Sequence, residues 1–276
     1  AALCQESHGD FSQVSGAELR AAELRFPLAA PAFLAAPPSA SPSAPLALAP
    51  VLLPQAAAQR VEATLAQLRR AGVVAILRAK GSPEVAVRRA AELVELGCRA
   101  IEVTMDSSDW PAILGEMRRR LPADVVLGIG TVMDDTVCDL GRAAALGAAF
   151  ALSPIDPLGF VEECHRRGVL AVPSGFTSNE CWRLHCRGVR LIKLFHAGAV
   201  SPAILKSMLD VTPLSSMNIL PSGGVSPGNA EAWWAAGACC VGMGSNLVGQ
   251  ELGLEPGSAQ FEAAASTWEA LEREAF

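Results

Sequence analysis

Lysine is scarce in this chain. Only Lys80, Lys193 and Lys206 occur, against nineteen arginines, so a lysine inside an apolar run stands out. Long blocks of positive charge are also lacking, and the formal net charge is −6. Binding along a nucleic-acid backbone needs clustered cations, so no nucleic-acid partner is expected. A small anionic substrate needs only a local site and stays open. None of the eight cysteines (Cys4, Cys98, Cys138, Cys164, Cys181, Cys186, Cys239 and Cys240) belongs to a CxxC pair. A chain of 276 residues that is 51% hydrophobic can build a core without disulfide staples. The cysteines therefore read as reduced, small core residues, which favours a reducing compartment. Cys181, His185 and Cys186 are close in sequence, but their spacing fits one helix face poorly. No second pair of ligands lies near them, so no metal is expected there. No apolar run reaches the roughly 18 residues of a membrane span. The stretch 46–58 is apolar but broken by Pro50 and Pro54.

What is present divides the chain in two. Residues 1–57 read as a low-complexity leader or linker, and residues 58–276 as a single α/β domain. No charge occurs from Pro27 to Gln59, where Ala, Pro, Ser and Leu dominate. Prolines at 27, 31, 37, 38, 42, 45, 50 and 54 forbid a continuous helix. Transit peptides are Ser-rich and acid-poor, and part of this segment is too, so a plastid-type leader is expected, with a cytoplasmic location as the alternative. The first residue is Ala1 rather than Met, which fits processing or trimming.

From residue 59 onward, short β-branched apolar runs alternate with amphipathic stretches. The runs are 73–77, 100–104, 125–129, 150–152, 169–172, 191–194, 218–220 and 239–242. Helical segments are expected at 83–96, 134–146, 157–167, 179–187, 202–209 and 227–236. Several open on Ser-Pro or Asp-Pro, and five close on Gly97, Gly147, Gly168, Gly188 and Gly237, which are capping signals. Strand–helix alternation with continuously apolar strands means a parallel sheet covered by helices. Eight units point to a closed (β/α)8 TIM barrel, with a doubly wound open sheet as the alternative. In either architecture the chemistry belongs at the C-terminal ends of the strands.

Those ends carry few polar groups. Lys193 lies within Leu191-Ile192-Lys193-Leu194-Phe195. Burial of an ammonium is costly, and desolvation lowers its pKa and frees the amine as a nucleophile. A lysine that snorkels to water is the bland alternative. Glu102 sits in Ile101-Glu102-Val103-Thr104, where it shares a strand face with Ala100 and Thr104. If that face is the lumen, a carboxyl and a hydroxyl look at the amine, which is the acid–base partner a Schiff-base lyase needs. A salt bridge to a helix arginine is the alternative for Glu102. Ser222-Gly223-Gly224 and Gly242-Met243-Gly244-Ser245 follow the seventh and eighth runs, the usual place for a phosphate cradle in a barrel. Asn229 either adds a donor there or caps a helix.

Residues 59–250 resemble the 2-keto-3-deoxy-6-phosphogluconate / 4-hydroxy-2-oxoglutarate aldolases. The matching segments are 73–79, 100–104, 128–132, Ser153-Pro154, 172–175, 192–195, 221–225 and 242–245, in family order. The resemblance implies a class I aldehyde-lyase that needs no metal or other cofactor. It implies Lys193 as the Schiff-base lysine and Glu102 as the general acid/base. Thr131 and adjacent glycines, Gly130 among them, would hold the pyruvyl carboxylate. Arg78, Gly223, Gly224 and Ser245 would line the distal, often phosphorylated end, and Thr104, Pro154, Phe195, Ser222 and Gly244 complete the expected substrate site. A homotrimer is implied, and a reaction releasing pyruvate plus an aldehyde. Two positions depart from the pattern. Some members carry an arginine where Asp106 stands, and proline is usual where His196 stands, at the barrel rim. Of the substrates, 2-dehydro-3-deoxy-6-phosphogluconate leads and 4-hydroxy-2-oxoglutarate follows.

Two other readings remain. A barrel kept as a structural subunit would fit the Ala/Pro leader, Asp106, His196 and a Trp233-Trp234 interface anchor. Another phosphate-binding barrel, an isomerase or decarboxylase, would use its carboxylates differently.

Overall fold

The structure, a computed structural model, describes residues 54–248. The leader expected at 1–57 lies outside the described residues except for its last four. A helix already starts there: α1 (Gln55–Ala71) follows Pro54.

Beyond it, strands and helices alternate as β1 (Val73–Leu77), α2 (Pro83–Glu95), β2 (Ala100–Thr104), α3 (Trp110–Arg120), β3 (Val126–Gly130), α4 (Leu140–Ala145), β4 (Phe150–Leu152), α5 (Phe160–Arg167), β5 (Leu170–Val172), β6 (Ser174–Gly175), α6 (Ser178–Cys186), β7 (Ile192–Phe195), α7 (Pro202–Leu209), β8 (Ile219–Ser222), α8 (Pro227–Ala235), β9 (Val241–Met243) and α9 (Ser245–Val248). The sheet order is β5-β4-β3-β2-β1-β9-β8-β7-β6, and every pairing is parallel. β5 and β6 are one stave split at Pro173, which has no N–H to give. The Val172 carbonyl accepts from Ser153 N on one side (3.1 Å), and the Pro173 carbonyl accepts from Lys193 N on the other (2.9 Å). The ring closes across that proline, and the architecture is a TIM-type α/β barrel.

Alternation along the strands sorts the apolar residues into two groups. Val73, Ala75, Leu77, Ile101, Val103, Leu127, Ile129, Ile192, Leu194, Ile219 and Met243 pack with the helices. Their neighbours Val74, Ala100, Val126, Phe150, Leu152, Leu191, Leu220 and Cys240 cluster with Val61, Leu65 and Leu68 of α1. The second group fills the lower lumen, and α1 closes it. The lumen face continues upward two residues at a time: Ala100 to Glu102, Leu191 to Lys193, Leu220 to Ser222. This periodicity of two delivers the functional side chains to one end.

All five glycines expected to end helices take positive φ, between 69° and 107°. The expected helix 134–146 is shorter, a 3₁₀ turn at Val137–Asp139 followed by α4. The one expected at 157–167 starts only at Phe160, because Gly159 turns the chain at φ 75°. Of the Trp233-Trp234 pair, Trp233 is 2% exposed within the core and Trp234 packs partly buried against it. Among the described residues, no helix is long and apolar enough to cross a membrane, and no three potential ligands converge on a metal position. His185 stacks instead on Trp182, with ring centroids 5.5 Å apart.

Candidate active site

A cavity of about 640 Å³ opens at the C-terminal end of the barrel. Arg78, Glu102, Thr131, Pro154, Lys193, Phe195, Ser222, Gly223, Gly224, Gly244 and Ser245 line it. At its floor Lys193 is 5% exposed and Glu102 1% exposed. Lys193 hangs from β7, where it pairs in register with Ser174 and Leu220, and its Nζ lies 4.6 Å from the Phe195 ring centre. Glu102 Oε2 is buried with no hydrogen-bond partner.

Electrostatics here follow from burial. Desolvation pushes the Glu102 carboxyl up from its ordinary range, and the charges of Lys193 and Arg78 pull it back only in part. Desolvation likewise pushes the Lys193 amine down; the Glu102 charge opposes that shift and Arg78 adds to it. Burial thus favours the neutral form of each group, the amine form of Lys193 and the acid form of Glu102, within one cavity. That pairing can form an imine and shuttle a proton.

Glycines make room for this arrangement. A Cβ on Gly130 would fall inside the Glu102 carboxyl, and one on Gly128 would enter the Phe150 ring. Gly130 thus serves the site by what it lacks, though it does not line the cavity. Gly223 and Gly224 turn at φ 77° and 103°, and a Cβ on Gly224 would meet Gly198 Cα at 2.5 Å. Asn229 holds this turn: its Nδ2 donates to the Gly224 carbonyl (3.1 Å), while its Oδ1 accepts from Ser226 N to cap α8 (2.9 Å). Thr131 adopts φ 57°, a strained conformation for a β-branched residue, at the lip of the cavity.

Thr104 is placed differently from the sequence reading. It is fully buried and does not line the cavity; its hydroxyl hydrogen-bonds Ser107 Oγ (3.0 Å) where the strand ends and the loop begins. His196 is exposed and tilts against the Phe195 ring, 3.7 Å between centroids, outside the cavity lining. Lys80 and Arg89 join the lining unforeseen. Arg89 comes from α2, is 3% exposed and pairs with Glu92 (3.0 Å). Arg89 lies on a helix rather than at a strand end, and the sequence signal for it is an arginine on the buried face of α2, in step with Ala86, Ala90 and Leu93.

A barrel of this order, with a buried lysine and carboxyl at its C-terminal mouth, has the parts that a carbon–carbon lyase working through a lysine needs. The sequence profile of the KDPG and KHG aldolase family matches residues 64–260, and the chain belongs to that family. It is 28% identical over 194 residues to a probable 2-dehydro-3-deoxy-6-phosphogalactonate aldolase of Rhizobium meliloti (strain 1021), covering 70% of this chain and 89% of that protein. It is 25% identical to the 2-dehydro-3-deoxy-6-phosphogalactonate aldolase of Escherichia coli (strain K12), covering 63% and 83%. A solved 4-hydroxy-2-oxoglutarate / 2-dehydro-3-deoxyphosphogluconate aldolase superimposes with a TM-score of 0.64 at 25% identity, covering 77% of this chain and 98% of that one. The protein is an aldehyde-lyase of this family.

Proposed function

We propose that the protein cleaves a phosphorylated 2-oxo-3-deoxy acid, 2-dehydro-3-deoxy-6-phosphogluconate or its galactonate epimer, to pyruvate and a phosphorylated aldehyde. The observation that carries this reading is the Lys193 amine and Glu102 carboxyl, buried in one cavity and both driven toward neutrality. The neutral Lys193 amine adds to the C2 ketone. Glu102 protonates the carbinolamine oxygen, which leaves as water and yields an iminium. The Glu102 carboxylate then takes the proton of the C4 hydroxyl. The C3–C4 bond breaks, its electron pair flows into the iminium, and the aldehyde departs. Protonation of the enamine at C3 and hydrolysis of the imine return pyruvate and the free amine.

Support for the phosphate comes from Gly223 and Gly224 after β8 and Gly244 after β9, whose backbone N–H groups suit an anion, and from the cation Lys80 in the same lining. The galactonate epimer is included because two of the relatives carry that substrate in their names. 4-Hydroxy-2-oxoglutarate is the second candidate. Specific activity on the three acids side by side tests this: the phosphorylated acids are expected to win, and a preference for the unphosphorylated one overturns the choice. Borohydride reduction with pyruvate is expected to add mass to Lys193, and no adduct would remove the Schiff base. The reading extends to a homotrimer, checked by sedimentation, and to a plastid leader in residues 1–57, checked by import.

A further inference from the structure

At the mouth of the cavity, Asp106 makes an ion pair with Arg78 through Nη1, and Arg78 Nη2 donates to Thr131 Oγ1 (3.3 Å). Both charged side chains are 45% exposed. An ion pair that open is ordinarily worth little, because each long side chain must be held in place against solvent. Here the backbone does the holding. Ser107 N donates to the Thr104 carbonyl (2.9 Å), and Met105 N donates to the Gly130 carbonyl (2.8 Å). Ser107 Oγ, bonded to the buried Thr104 hydroxyl (3.0 Å), accepts from Ala79 N (3.0 Å). Ser108 N donates to the Ala79 carbonyl (2.9 Å). The loop that carries Asp106 is therefore stapled to both the N–H and the carbonyl of Ala79, the residue next to Arg78.

We propose that Asp106 is a positioning residue: it aims the Arg78 guanidinium across the cavity mouth to meet the charged distal end of the substrate. Arg78 has five N–H donors, so with one taken by Asp106 and one by Thr131, three remain for an anion. This inference rests on the phosphorylated-acid reading above.

A double-mutant cycle tests it. Asp106→Ala is expected to raise KM for the phosphorylated acid about 10-fold at little change in kcat, the effect of one lost charge-assisted contact. Asp106→Glu restores most of it. Arg78→Ala raises KM at least as far, and adding Asp106→Ala to it changes KM by less than about twofold, since a residue that acts through another has nothing left to act on. The same variants titrated calorimetrically with 6-phosphogluconate, which has no ketone to condense, give the matching change in Kd whether or not the protein turns over. A wild type that binds this acid but releases no pyruvate would therefore sink the aldolase reading and leave the clamp to be judged on Kd. An unchanged or lower KM and Kd in Asp106→Ala, or effects of the two substitutions that multiply, overturns the positioning role.

Discussion

Lys193 and Glu102 sit where water barely reaches them, and in the proposed reaction the cost of charging either group is what makes it reactive. Lys193→Met is expected to abolish pyruvate release and leave the melting temperature equal or higher, because an apolar chain of similar length suits the site better than a desolvated amine. A melting temperature several degrees lower would show that the amine holds the fold. Glu102→Gln is expected to slow turnover by about 10²–10⁴, the usual worth of a positioned acid–base group. Its pH dependence has a definite sign. The Glu102 charge raises the Lys193 pKa against desolvation, so removing it lets that pKa fall further. The acid limb of borohydride trapping moves to lower pH, and a move to higher pH would contradict the coupling. These two residues were legible in the sequence because an ionisable group inside an apolar strand has few bland explanations. Thr104 was not. The period of two carries it to the lumen face, but it is the last residue of β2, and its hydroxyl turns to Ser107 instead.

The elements carry a different kind of information. β1, β2 and β4 match the apolar runs residue for residue, while β3 and β7 slide by one and the helix starts at 134 and 157 come too early. Apolar pattern fixes which segment is buried, but hydrogen bonding to neighbouring staves decides where a strand stops. The split of the fifth stave at Pro173 was visible as a proline, yet its meaning depends on the two strands that flank it. β3 shows why small residues matter to function. Gly130 has no need of an unusual φ, so Gly130→Ala tests space rather than strain. The added Cβ displaces the Glu102 carboxyl, and kcat is expected to fall about 10²-fold or more, with far-ultraviolet circular dichroism unchanged. Gly81→Ala, where nothing lies within 4 Å, is the silent control. Full activity in Gly130→Ala would mean that the carboxyl works from another position.

On the scale of the whole described molecule, the barrel separates stability from chemistry by height. The candidate active-site cavity occupies the C-terminal end of the strands, and α1 lies against the lumen residues near their N-terminal ends. That helix straddles the change from the Ala/Pro-rich stretch to the barrel, which is why composition alone places a boundary inside it. Its buried residues Val61, Leu65 and Leu68 fall on one face and join Val74, Ala100 and Phe150 beneath the site. Leu68 is fully buried, so Leu68→Ala leaves a cavity at the base, with an expected loss of about 2–5 kcal/mol. The denaturant midpoint should fall accordingly. KM and kcat should stay near wild type, because Leu68 packs in the apolar cluster of the lower lumen and does not line the cavity that holds Lys193. If Leu68→Ala instead cut kcat while the protein stayed folded, the plug would be coupled to the site through that cluster, and the division of labour along the barrel axis would be wrong.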